Sequence, residues 1–515
     1  MGRGFAIAWG VAALAATGAA AQQQQAKNIL VIVLDDVGTD KLSFYGETPP
    51  STPRISCPDV APAGYVEPYA DTPRLDKLRQ SGILFNDAYA DPVCSPTRAC
   101  ILTGRHPFRT GMGTVSDAGT FKLADSEVLI PELLKNGFRG SQLLGLPYKC
   151  GAFGKWHLTT LTGNDTHPTD NGFDRFYGSI ANVATLNESY FSWTKIEHDA
   201  GGPPPVPFTS TTWYGIATST DASNWINAQS NAFFAYVCFN PPHSPFEVPP
   251  QNLVSSSTRA EIACLGFEPG DQASASDPVQ KRRLFYKAML EAVDTEIGVL
   301  LDAITPAKLA NTMIFVIADN GTPESVMNIP PHAAGHGKTT AYEWGVRVPL
   351  IVSGPLVPAP GGFVSDVPVG AVDLWRTIAA ITGANPGIAA PSVTIDGVSF
   401  LPVILDPVHQ PGSRQYTFSQ QFWPNGVPQS PPNQNQCFNF HNRSISDGSY
   451  MYVRLQDVKQ RGNCDPPTYT QHFFRVGESH EETIDFLLTA TNTWPPGALA
   501  TYQAMTAEMD AVSQP

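Results

Sequence analysis

Cys94 is followed by Ser95, Pro96, Thr97 and Arg98, and then, past Cys100, by Leu102, Thr103, Gly104 and Arg105. Ser95 is a good N-cap and Pro96 a good first helical residue. Gly104 suits a left-handed stop about two turns later. The spacing predicts a short helix with residue 94 at its N-terminus, where free backbone N–H groups and the helix dipole favour an anion. Arg98 lies one turn on and faces the same anion. A second set of residues offers hard oxygens: Asp35, Asp36, Asp319 and Asn320. Such ligands select Ca²⁺ or Mg²⁺ over softer metals. A third set is cationic: Arg98, Lys155, His157, His243 and Lys338. Lys155 and His157 share one side of the chain if it is extended. Each set also has a plainer reading. Cys94 could be a buried thiol beside a turn, the Asp-Asp and Asp-Asn-Gly pairs polar turns, and His243, among prolines, a structural residue. His332 and His336 read as loop histidines.

The elements that must position these groups are legible as three apolar runs. Residues 28–34 end at Asp35-Asp36, residues 233–239 at Asn240, and residues 312–318 at Asp319-Asn320. Continuous apolar runs of this length suit strands buried on both faces. In open α/β sheets, sites form beyond the carboxyl ends of the strands, which is where each run turns polar. A helix is expected over 72–82, with Thr72 as cap, Pro73 at its first position and Gly82 as stop. Val293, Ile297, Leu300, Leu301 and Ile304 keep a helical stripe before the third run. Residues 348–352 and 449–454 read as further strands. Pro/Gly-laden loops cover 49–69, 201–207 and 320–337; loops this long in a compact domain are often functional. Composition shifts near 405–412, which marks a smaller C-terminal domain.

The chain has 515 residues, enough for a large core and more than one domain. Its first residues read as a secretory signal peptide over 1–21: Arg3, an apolar stretch over 5–18, and small residues at 19–21. No later segment is apolar enough to span a membrane, so an exported, periplasmic or secreted protein is expected. A net charge of −14 disfavours a nucleic-acid partner. It leaves an anionic substrate open, because a local cation cluster outweighs distant charge that salt screens. There are 8 cysteines and no zinc-type spacing. Export permits disulfides; Cys437 with Cys464 is the expected pair, and Cys238 reads as a small buried hydrophobe.

From residue 28 to about 485 the chain resembles the type I sulfatases of the alkaline phosphatase superfamily. Matching stretches occur in order at 28–38, 72–89, 94–105, 154–158, 171–178, 240–245, 318–321, 338–349 and 396–399. The resemblance implies an α/β fold. A large N-terminal domain (22–405) carries a mostly parallel mixed sheet flanked by helices. A smaller C-terminal α+β domain (406–515) carries a short antiparallel sheet. It implies a sulfuric ester hydrolase acting on an aryl or carbohydrate sulfate. Residue 94 would be oxidised to Cα-formylglycine by a formylglycine-generating enzyme. Asp35, Asp36, Asp319 and Asn320, with residue 94, would hold one divalent cation, Ca²⁺ before Mg²⁺. The hydrated aldehyde would attack sulfur and form a covalent sulfo-enzyme. Arg98 and Lys155 would stabilise the nucleophile and the metal site. His157 would take a proton as sulfate is expelled, and His243 and Lys338 would grip the sulfate.

Three departures stand out. The usual Ser is Thr97, the approach to Gly154 carries an insertion over about 139–146, and Trp344 replaces a glycine, where an aromatic pocket wall is expected. Two rivals remain at this level. One is a phosphonate or phosphate ester hydrolase on the same fold. The other is an exported binding protein in which Cys94 stays a thiol or pairs with Cys100.

Overall fold

A computed structural model describes residues 28–46, 69–116, 121–138, 148–161, 163–186, 188–329, 332–409, 412, 414–426, 438–456, 468–476, 482, 485–489 and 491–512. The expected signal peptide, the insertion over 139–146, and both Cys437 and Cys464 lie outside these residues.

Ten strands build the main sheet. They are β1 (Asn28–Leu34), β2 (Ile83–Phe85), β3 (Lys149–Lys155), β4 (Arg175–Ser179), β5 (Trp193–Asp199), β6 (Phe208–Ser210), β7 (Phe233–Cys238), β8 (Thr312–Ala318), β9 (Leu350–Ser353) and β10 (Phe363–Ser365). Their order is β10-β2-β9-β8-β1-β7-β3-β4-β5-β6. The run β8-β1-β7-β3-β4 is parallel throughout. Antiparallel pairs lie outside it, at β8-β9, β9-β2, β4-β5 and β5-β6. Every residue of β1, β7, β8 and β9 is buried. That explains their unbroken apolar runs, since neither face of the sheet meets water.

The helices used below are α1 (Pro73–Gln80), α2 (Cys94–Thr103), α3 (Tyr214–Ala228), α4 (Val279–Ala303), α5 (Asp373–Thr382) and α6 (Ala498–Val512). α4 packs against α1 and α3, and α5 packs against α2. The expected cap at Thr72 is not made: its side chain bonds no α1 backbone group. The Asp294 carboxylate of α4 accepts from Arg74 N and Leu75 N instead, at 3.0 and 2.8 Å. One partner from a neighbouring helix thus satisfies two orphan N–H groups of the first turn.

Four further strands form an antiparallel sheet in chain order: β11 (Thr417–Trp423), β12 (Phe440–Ser446), β13 (Tyr450–Gln456) and β14 (Tyr469–Arg475). α6 lies against β12 and β13. Phe418, Phe422, Ile445, Tyr452, Phe473, Met505 and Met509 fill the space between. The other side of the sheet meets the main domain, where Met451, Val453 and Phe474 pack with Tyr89, Tyr342 and Val346. β11 also bonds the chain just before α2: Ser419 Oγ donates to Ala90 O at 2.6 Å, and Gln420 N to Asp91 Oδ1 at 2.9 Å. Among the described residues, no helix is long and apolar enough to cross a membrane.

Candidate active site

The parallel strands deliver their polar ends side by side. Asp35 follows β1, Asp319 follows β8, Lys155 ends β3, and Asn240 comes two residues after β7. Because β8, β1, β7 and β3 are neighbours, these groups converge although 120 residues separate Asp35 from Lys155. α2 adds Cys94 and Arg98 from the side.

Cys94 is the first residue of α2, and every residue of that helix is buried. Gly104 ends it at φ 68°, as its type predicts. Its start differs from the sequence expectation. Val93 occupies the cap position and no side chain caps the helix. Ser95 Oγ accepts instead from Ser116 N at 3.1 Å, and Ser116 Oγ donates to His157 O at 3.1 Å. Ser95 thus ties the nucleophile helix to the His157 segment. Thr97 keeps its hydroxyl in use, since Asp91 N donates to its Oγ1 at 2.8 Å. Cys94, Cys100, Cys150 and Cys238 are free thiols. Cys100 Sγ contacts Asp91 Oδ2 at 3.2 Å. A Cys94–Cys100 disulfide is excluded, because residues six apart on a helix are about 9 Å apart along its axis. Cys264 is disulfide-bonded.

Arg98 is fully buried and reads two carboxylates. Its Nε and Nη2 donate to Asp319 Oδ2 at 2.9 and 2.7 Å, and Nη2 lies 3.5 Å from Asp35 Oδ2. Its Nη1 donates to Lys155 O at 2.9 Å. Lys155 Nζ donates to Asp35 Oδ2 at 2.6 Å, and Asn240 Nδ2 to the same oxygen at 2.9 Å. Lys338 Nζ meets Asp36 Oδ1 at 2.5 Å and Cys94 Sγ at 3.8 Å. His243 Nε2 lies 3.7 Å from Asp36 Oδ2. His243 Nδ1 lies 2.7 Å from Ser244 O. A carbonyl only accepts, so Nδ1 carries the proton and the neutral ring offers its Nε2 lone pair.

The site is also where the backbone is most constrained. Among the described residues, the non-glycine residues with positive φ are Asp36, His157 and Thr339, at 64°, 62° and 74°. Two of them are site residues and the third follows Lys338; conformations of this kind persist where surrounding contacts over-determine them. Gly154, at φ 85°, precedes Lys155, and a Cβ there would meet Cys238 O at 2.0 Å. β3 can approach β7 this closely only with glycine.

The donor set fits a hard divalent cation. Asp35 Oδ1 and Asn320 Oδ1 are buried oxygens with no hydrogen-bond partner. Such acceptors are costly unless something binds them. Asn320 Nδ2 donates to Asp36 Oδ1 at 2.8 Å and to Gly321 O at 2.9 Å, which turns its free oxygen the other way. One ligand atom each from Asp35, Asp36, Cys94 and His243 lies within 4.8 Å of the others. Asp319 is engaged with Arg98 through Oδ2, and its Oδ1 accepts from Asp36 N at 3.3 Å.

Electrostatics follow from burial and cation count. Burial alone would raise Asp35, but Lys155, His243, Arg98 and Lys338 hold its carboxyl well below the usual range. Burial pushes the Cys94 thiol up to about 12 despite Lys155 and Lys338. The encoded side chain is therefore a neutral thiol at pH 7 and a poor nucleophile. Burial lowers His243 in spite of Asp36. Burial would lower Lys338, but the Asp36 carboxylate it pairs with, and Asp35 beyond it, raise it.

Most residues singled out from sequence thus meet in one cluster. His157 reaches it indirectly: its Nε2 lies 3.5 Å from Asn182 Nδ2, and Asn182 Oδ1 accepts from Asn240 Nδ2 at 3.3 Å. Asn182 and Asn240 were missed as site residues. Asn240 carried a usable signal, since it closes an apolar run as Asp35 and Asp319 do; Asn182 carried none. Trp344 is a packing residue, buried with its ring 4.0 Å from that of His332, rather than an open pocket wall. His336 stacks on Tyr342 at 3.7 Å and pairs with Glu482.

Comparison with known proteins agrees with this geometry. The sulfatase family model matches residues 27–384. N-acetylgalactosamine-6-sulfatase of Sus scrofa is 29% identical over 422 residues, covering 76% of this chain and 68% of that protein. Arylsulfatase A of Homo sapiens is 28% identical over 422 residues, covering 78% and 71%. A sulfatase of Pseudoalteromonas sp. shares the fold with a TM-score of 0.63 at 20% identity, over 96% of this chain and 93% of that one. A family match over most of the chain, on a fold that brings the cysteine, the carboxylates and the cations together, shows that the chain belongs to the sulfatase family of the alkaline phosphatase superfamily and is a sulfuric ester hydrolase.

Proposed function

We propose that this enzyme releases inorganic sulfate from an aryl or carbohydrate sulfate ester, with residue 94 as nucleophile after conversion to formylglycine. The observation that carries the reading is Cys94 at the buried N-terminus of α2 with Lys338 Nζ 3.8 Å from its sulfur. A neutral thiol there makes poor chemical sense, whereas a hydrated aldehyde supplies an oxygen nucleophile at the same place. Relatives named for galactosamine and aryl sulfates support this substrate range. So does a structural neighbour of TM-score 0.62 that was determined with D-glucosamine-2-N,6-O-disulfate.

Asp35, Asp36, Asp319 and Asn320, with residue 94, would hold one divalent cation, Ca²⁺ before Mg²⁺, which would supply Lewis acidity to the sulfate and help ionise the nucleophile. The protein's own groups divide the remaining work. Arg98 and Lys155 neutralise the carboxylates and keep them aimed at the cation. Lys338 and His243 line the partly open side, where a transferred sulfate has to sit. An anion there favours the imidazolium of His243, which then donates to the leaving oxygen. His157 accepts the proton released when sulfate is expelled. In this reading residues 22–405 are the catalytic domain, 406–515 a C-terminal subdomain and 1–21 an export signal, which places the enzyme in the periplasm or outside the cell.

The test pairs two measurements. Mass spectrometry of the peptide containing residue 94 should find the aldehyde or its hydrate. A panel of 4-nitrophenyl sulfate, sulfated hexosamines, 4-nitrophenyl phosphate and a phosphonate ester should show release of sulfate above phosphorus products. An intact thiol with no turnover would move the protein to the binding-protein class. Faster phosphorus ester cleavage would reassign the reaction.

A further inference from the structure

We infer that Asn240 is a positioning residue that ties the cation-binding carboxylate Asp35 to His157 through Asn182. The inference rests on the proposed roles of Asp35 and His157. Asn240 is fully buried just beyond β7, and all its amide atoms are used. Its Oδ1 accepts from Val183 N at 3.1 Å, which fixes the orientation of the amide. The two Nδ2 hydrogens then go to Asp35 Oδ2 at 2.9 Å and Asn182 Oδ1 at 3.3 Å. Asn182, itself only 5% exposed, is turned by that bond so that its Nδ2 faces His157 Nε2 at 3.5 Å.

The consequence for Asp35 is geometric. Lys155 and Asn240 both donate to Oδ2, and Arg98 lies nearest the same oxygen. With its donors gathered on one oxygen the carboxylate cannot rotate freely, and Oδ1 is left without a hydrogen bond. Lys155 and Arg98 are long cations, and Arg98 also serves Asp319 and the β3 backbone. Asn240 is the short, neutral, doubly anchored donor, and it sets the angle. Outer partners of this kind typically change metal affinity or activity by about 10–100-fold. The same amide pair holds the His157 ring, whose backbone is pinned by the bond from His157 N to Ile180 O at 2.8 Å and by Ser116.

Asn240→Ser and Asn182→Ser separate the two ends of the bridge. After EDTA treatment, each is titrated with Ca²⁺ while thermal stability is recorded. Then kcat and KM are measured on the sulfate ester turned over fastest in the panel. Asn240→Ser should raise the half-saturating Ca²⁺ about tenfold or more and lower kcat. Asn182→Ser should leave the Ca²⁺ response at the wild-type value and lower kcat about tenfold with KM unchanged, because His157 handles a proton after substrate is bound. Asn240→Asp keeps the acceptor for Val183 N but loses the donor, so it should move in the same direction as Asn240→Ser. Wild-type Ca²⁺ response in both Asn240 variants, or wild-type kcat in Asn182→Ser, overturns the inference. If the wild-type protein itself ignores Ca²⁺ and Mg²⁺, the cation site is what fails.

Discussion

The catalytic centre and the seam with the C-terminal sheet both bury carboxylates, and Asp35 in the one and Asp87 in the other are treated in opposite ways. At the centre, Asp35 is pressed below its ordinary range because Lys155, His243, Arg98 and Lys338 surround it. At the seam, burial pushes Asp87 up to about 8; Arg347 opposes the rise, while Glu343, Asp366 and Asp447 add to it. Burial likewise lifts Asp91 to about 7, against hydrogen bonds from Gln420 N and Cys100. Desolvation has the same sign in both regions. The balance of neighbouring charge decides whether the acid stays ionised: cations dominate around Asp35, whereas acids add to the burial of Asp87. The centre thereby keeps the Asp35 carboxylate charged, although burial and Asp35 itself push the neighbouring Asp319 up in spite of Arg98 and Lys155; at the seam, Asp91 bonds β11 to the chain just before α2.

The largest expected effect is at the nucleophile. Cys94→Ala should reduce turnover by a factor on the order of 10⁴ or more, while thermal unfolding stays close to wild type. A variant with substantial sulfate release would break the assignment of the centre. Next comes the direct contrast of carboxylates. Asp35→Asn leaves buried Lys155 without its counter-charge, while Arg98 keeps Asp319, and should cost about 3–5 kcal/mol, as when one partner of a buried pair is removed. Asp87→Asn replaces a side chain that is neutral below its pKa, and should change stability by about 1 kcal/mol or less. Urea denaturation at pH 6 measures both. Equal losses would mean the two regions do not differ as described.

Cation binding should stabilise the centre alone. At a hundredfold excess over Kd the gain is about 2.7 kcal/mol, read as a rise in Tm on adding Ca²⁺ to EDTA-treated protein and absent in Asp35→Asn. The pH dependence separates the regions by sign. Asp87 and Asp91 hold protons in the folded state up to about 8 and 7, whereas the unfolded chain releases them near the ordinary aspartate value of 3.8. The folded state then binds more protons, so these groups make stability fall as pH rises through that window. Asp35 is depressed, so its contribution is present above 3.8 and disappears as pH falls below it. Urea midpoints for wild type and the double variant Asp87→Asn/Asp91→Asn between pH 5 and 9 test this; an unchanged slope in the variant would sink the seam argument. The smallest effect belongs to Thr97→Ser, which keeps the hydroxyl that receives Asp91 N and should alter stability by about 0.5 kcal/mol or less.

The centre was legible from sequence where local grammar applied. Apolar runs ending in Asp35, Asp319 and Asn240 announced strands of a buried sheet, and β1 and β8 have the bounds read from their composition. The cysteine, its helix and Gly104 were equally local. Errors arose where a distant partner intervened. Ser95 serves Ser116 rather than the helix end, Asp294 replaces Thr72 as the cap of α1, and Trp344 packs under His332. The seam was not legible at all, because Asp87 and Asp91 look like ordinary loop acids until the C-terminal sheet arrives, with Gly448 against Asp87 and Gln420 of β11 against Asp91.

By itself, the sequence determined which chemistry-bearing residues stand at the ends of strands and helices, because apolar periodicity, proline and glycine act over a few neighbours. Tertiary structure alone decided which of them meet. The strand order β8-β1-β7-β3 places Asp35 against a lysine 120 positions away, and α2 places Arg98 against an aspartate 221 positions away. Those pairings set the charges. Whether a buried acid is ionised depends on cations within a few ångströms in space, and crossovers through the fold, rather than spacing along the chain, bring them there.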